Sequence, residues 1–128
     1  MAKINNPELT ITTDPVNNGA SVAASCDVDL TSFERNAVQL LDLRYTLECR
    51  VLNRDLQYEQ AVLMYEPQSV PADARGAHMV FEAVTALSDL HQHLFTRDQL
   101  IAEFTLTNGE TRSQDIVRSE ALTVDLAG

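Results

Sequence analysis

From Asp42 to Val51 polar and apolar residues alternate without a break. Leu43, Tyr45, Leu47, Cys49 and Val51 share one parity, and Asp42, Arg44, Thr46, Glu48 and Arg50 share the other. Side chains of an extended chain point alternately to opposite faces, so this stretch is predicted to be a strand with one buried and one wet face. The same pattern recurs along the chain. Val22, Ala24, Cys26, Val28 and Leu30 form an inward set over residues 21–31. Met79, Phe81, Ala83 and Leu87 form another, with His78, Val80, Glu82 and Val84 facing out. Leu100, Ala102, Phe104 and Leu106 form a third, and a last run is expected to turn Ile116, Leu122, Val124 and Leu126 inward. A short strand with Leu9 and Ile11 inward and a return strand through "LQYEQAVLMYE" bring the total to about seven strands.

The interruptions matter as much as the runs. Thr31-Ser32-Phe33-Glu34 fits a capping box, which predicts one helical turn in "SFERNA". The next strand is expected to begin near Val38, with the parity switch between Leu40 and Leu41 read as a β-bulge. Leu87, Leu90 and Leu94 recur at three and four, with Ser88 suited to cap them, so one short helix is expected near residues 88–95. At the last hairpin a two-residue Asn108-Gly109 loop would set Phe104 beside Ser113. A three-residue loop, Thr107-Asn108-Gly109, instead pairs Ala102 with Gln114 and Leu100 with Ile116. It also gives Gly109 the left-handed position, and is the expected form.

Strands with one apolar face each must bury those faces against one another. The chain is therefore expected to be one domain over residues 1–128, an all-β, two-sheet antiparallel β-sandwich of immunoglobulin-like or fibronectin-like order. The antibody-type markers are missing, since the chain has no tryptophan, no cysteine in the sixth strand and no tyrosine where the corner tyrosine belongs.

Charge narrows the partners. Nineteen acidic residues against 9 basic ones, only one of them a lysine (Lys3), give a formal charge of -10. Such a field repels phosphate backbones and anionic lipid, so neither nucleic acid nor a membrane surface is an expected partner. The start, "MAKINNPELTITTDP", lacks the apolar core of a secretory signal, and with Met1 in place a cytoplasmic location is expected.

Candidate chemistry is sparse. His91 and His93 would converge on one face of a strand and suit zinc, copper or iron, but Leu87, Leu90 and Leu94 ask for a helix, where residues two apart diverge. Asp27 and Asp29 share a wet strand face and are oxygen ligands of the kind calcium takes, without the spacing of a calcium loop. Cys26 and Cys49 lie on core parity and are expected to be free, protonated thiols with no disulfide between them. Glu59, Glu66 and Glu82 could serve as paired carboxylates only if strand pairing joined them. No phosphate-binding or dinucleotide loop is present, because the four glycines stand singly.

No catalytic residue and no cofactor is therefore expected. The expected function is a non-enzymatic interaction or assembly module that meets a protein partner or copies of itself. An open sandwich leaves strand edges unpaired, and Arg44, Glu48, Arg50, Tyr58 and Tyr65 are residue types that favour contacts. The alternative is a ligand-binding sandwich for calcium or carbohydrate, and beyond it a small metalloenzyme using His91 and His93.

Overall fold

The computed structural model describes residues 2–54, 59–71, 73–90 and 98–124. Nine strands and two α-helices follow in the order β1 (Lys3–Asp14), β2 (Gly19–Asp29), α1 (Ser32–Leu41), β3 (Tyr45–Arg54), β4 (Glu59–Met64), β5 (Gln68–Ser69), β6 (Ala77–Ala86), α2 (Leu87–Leu90), β7 (Asp98–Asn108), β8 (Gln114–Arg118) and β9 (Leu122–Val124). They build an all-β sandwich of two antiparallel sheets. One sheet runs β1-β2-β6, and the other runs β4-β3-β7-β8, with β5 added to β3 and β9 to β7. The chain thus changes sheet between β2 and β3, and α1 makes that crossing.

The alternation is the cause of this arrangement. Val22, Ala24, Cys26 and Val28 of β2 meet Leu47, Cys49 and Val51 of β3 and Leu100, Ala102, Phe104 and Leu106 of β7, all of them buried. Phe104 is fully buried, and its ring lies 6.3 Å from that of Phe81, which lies 5.5 Å from Tyr65. The Tyr65 hydroxyl donates to the carbonyl of Val22 across the sandwich at 2.8 Å, so an amphipathic ring is buried without an unsatisfied hydroxyl. Two apolar clusters make up the core, and Leu9 and Tyr65 pack against both.

The two helices close opposite ends of β2. Near Ala20, the Leu87 amide donates to the carbonyl of Asn18 at 3.1 Å and the Asn53 side chain donates to the carbonyl of Leu90 at 2.9 Å. Leu87 and Leu90 are both buried there. Near Leu30, α1 begins at Thr31, whose hydroxyl accepts from the Glu34 amide while Glu34 accepts from the Thr31 amide. This reciprocal pair is the expected capping box.

Four local expectations are corrected. The helix after Thr31 is ten residues long, not one turn, and β3 starts at Tyr45, not near Val38. The parity switch at Leu40–Leu41 is the end of a helix and not a bulge, with Asp42 in the left-handed conformation (φ 53°) that terminates it. The β7–β8 hairpin is longer than expected, pairing Thr107 with Gln114 and Phe104 with Val117, while Leu100 pairs with Leu122 of β9. Asn108 explains it: its side-chain oxygen accepts from the amides of Glu110 and Thr111, its own amide donates to Ser113, and Arg112 takes the left-handed position. Ile116 consequently faces outward and is exposed. Gly109 serves a close approach instead, because its amide donates to the carbonyl of Arg44 and a Cβ would sit 2.9 Å from that oxygen. Finally, β1 begins at Lys3, earlier than expected, and absorbs a register shift between Asn5 and Glu8 with Asn6 at φ 53°. Of the helix expected near residues 88–95, the stretch beyond Leu90 lies outside the described residues.

Candidate functional site

The most concave feature of the molecule is a cleft of about 670 Å³ between α1 and the β7–β8 turn. Its position follows from α1. At 100° per residue, Phe33, Ala37, Leu40 and Leu41 fall within an arc of about 100°, the usual width of a helix's buried stripe. Here the stripe is not buried. Phe33, Leu40 and Leu41 are 81%, 81% and 76% exposed, and no residue of the helix is buried. What holds α1 in place is the neighbouring face, where Val38 packs against the core and Glu34 makes polar contacts.

Those contacts form the floor of the cleft. Glu34 Oε2 accepts from the amide of Ala2 at 2.7 Å and from the hydroxyl of Tyr45 at 3.0 Å. Tyr45 Oη in turn accepts from Nδ2 of Asn108 at 3.1 Å. Asp115 accepts from the amide of Ile4 at 3.2 Å, so two carboxylates anchor the amides at the start of the chain. Burial opposes ionisation of Glu34, but hydrogen bonds from Thr31, Tyr45 and Ala2 outweigh it and hold the carboxyl below its ordinary range. Burial and the Glu34 carboxylate together push the Tyr45 hydroxyl up. Phe33 and Leu41 form the α1 wall, and Glu110, Thr111 and Ser113 the opposite one. The described lining carries three carboxylates, Glu34, Glu110 and Asp115, and no lysine or arginine.

The outer face of the β4-β3-β7-β8 sheet has a different character. Glu103 is buried at 7% exposure, between Arg50 at 2.8 Å and Arg118 at 2.8 Å, and Arg118 reaches Glu59 at 2.9 Å. Burial raises the Glu103 carboxyl and the two guanidinium groups more than reverse this, leaving it below its ordinary range. These side chains neutralise one another, and the arrangement is a structural clamp across four strands.

The residues singled out by sequence are dispersed. Arg44 lies 4.0 Å from Asp42, both largely exposed, and Glu48 is exposed; Arg50 pairs with Glu103 and not with Glu48. Tyr65 turns inward, as described above, and offers no outer surface. Asp27 is held by Asn6 at 2.9 Å and His78 at 2.9 Å, which lower its carboxyl, while Asp29 accepts from the Gly76 amide at 2.6 Å. Cys26 and Cys49 are buried free thiols, each pushed up to about 12 chiefly by burial. Tyr58, His91 and His93 lie outside the described residues. Among the described residues, no three His, Cys, Asp or Glu side chains come together to hold a metal ion, and no helix is long and apolar enough to cross a membrane.

Phe33, Leu40, Leu41, Glu110 and Asp115 escaped the sequence reading. The available signal was the spacing 33, 37, 40, 41, helical in period, which the alternation beginning at Asp42 obscured. No protein-family model matches the chain, and no curated protein is similar to it in sequence.

Proposed function

We propose that the chain is a non-enzymatic protein-interaction module, a sandwich of immunoglobulin- or fibronectin-like order that engages a partner through α1. The observation that carries this is the exposed stripe of Phe33, Leu40 and Leu41 beside a cleft. A helix of a globular domain normally buries such a stripe, and a contiguous exposed apolar patch marks a contact surface. Other exposed apolar residues, such as Val16 and Met64, stand apart and need no partner. The non-enzymatic part rests on the thiols, which are protonated and enclosed, and on the absence of a nucleophile–base pair among the described residues. The strand order, β1-β2-β6 against β4-β3-β7-β8, supports the sandwich type.

Placing a photo-activated cross-linking residue at Leu40, with Thr10 on the opposite sheet as control, tests the reading in the cell of origin. One adduct of defined mass is expected from Leu40, absent from Thr10 and lost when Leu41 is changed to Gln. No adduct from Leu40, or equal adducts from both positions, would overturn it.

A further inference from the structure

Resting on that reading, we infer that the occupant of the α1 cleft is an amphipathic helix of another protein, bearing large apolar side chains flanked by lysine or arginine. Three observations select it. First, the stripe from Phe33 to Leu41 spans eight residues, about 12 Å of helix. That is a ridge long enough to pack along two turns of a partner helix.

Second, the opposite wall offers no backbone for strand addition. In the β7–β8 turn the amides of Asn108, Glu110, Thr111, Arg112 and Ser113 all donate to Ser113, Asn108 or Thr111 within the turn itself. A partner therefore meets side chains, which is the helix-in-groove mode and not β-augmentation.

Third, the charge is one-sided. Glu34, Glu110 and Asp115 line the cleft, whereas the nearest cations, Arg44 and Arg112, stand outside the lining. Glu34 and Asp115 accept from neutral amides, which stabilise a carboxylate without cancelling its charge. A second copy of the chain would bring another net charge of -10 to this surface, so self-association is disfavoured. Cationic residues rimming an apolar anchor complement the site and speed encounter with it.

The test uses two synthetic helical peptides of about 15 residues with the same leucine and phenylalanine face and either lysine or glutamate on the other. Each is titrated into isotopically labelled protein and followed by amide NMR. The lysine peptide is expected to shift amides of α1 and residues 108–115, and to bind about tenfold more tightly than the glutamate peptide, the effect of two or three exposed ion pairs. Raising salt should erase the difference. The E110K/Q114K variant should bring the two peptides to near parity without moving the rest of the spectrum.

Equal binding of both peptides at α1, or shifts that ignore E110K/Q114K, would overturn the cationic partner and leave the interaction reading standing. A dimer that forms at micromolar concentration and is lost in Leu40→Gln would replace the partner by a second copy. Binding of neither peptide overturns the inference. If Leu40 also yields no adduct in the cell, the interaction reading falls with it.

Discussion

The two ends of the sandwich solve the same problem in opposite ways. At the α2 end Leu87 and Leu90 turn into the core, with Leu90 fully buried, and the cluster around Val22, Val51 and Leu100 is closed. At the α1 end the helix is held by one capping box, Val38 and a carboxylate, while its large apolar side chains face solvent. Burial of an apolar side chain stabilises by roughly 1.5–3 kcal/mol, so an end that forgoes it three times is not built for stability alone. The difference separates the part of the molecule that folds from the part that is left available.

The comparison can be broken at several points. Leu90→Ala should cost about 4 kcal/mol in chemical denaturation, because its site is fully enclosed and cannot collapse freely. A loss under about 1 kcal/mol would mean that the α2 end is as loose as the α1 end. Removing Arg50 and Arg118 together should cost about 3 kcal/mol by stranding the buried Glu103 carboxylate. Replacing Glu103 itself by Gln should restore much of that loss, which separates the clamp from general surface charge.

The same carboxylates set the acid response. Glu34 and Glu103 are held below the ordinary range in the folded state, so their stabilisation is complete above the unfolded value and fades as pH falls through the folded ones. Stability should be level from pH 7 down to about 5 and decline below about 4. A maximum near pH 4 would contradict both assignments. The smallest of these structural effects concerns the cap. Thr31→Ala should cost about 1 kcal/mol and fray α1 first, visible as faster amide exchange in residues 32–36 ahead of the sheets.

Much of the fold was legible because strand alternation reports burial directly. Val22 to Val28, Tyr45 to Val51 and Leu100 to Leu106 each show the parity that their burial follows. Register was less legible, since it hangs on the turn. Asn108 builds a long turn from its own side chain, and nothing in "TNGETRS" distinguishes that from a short glycine loop. The site was hidden for another reason. Phe33, Leu40 and Leu41 carry the same pattern whether a helix buries them or presents them, because periodicity gives the face of a helix and not what covers it. Glu110 and Asp115 reach the cleft only through the hairpin register, which local sequence left open.

The account turns on α1's apolar stripe being surplus to folding. The direct measurement is the denaturation free energy of the triple variant Phe33→Gln, Leu40→Gln, Leu41→Gln against the parent chain. Leucine and glutamine have similar helix propensities and the side chains are largely exposed, so a change within about 0.5 kcal/mol is expected. A loss above about 2 kcal/mol would show that the stripe serves the fold itself, contradicting its assignment as a docking surface.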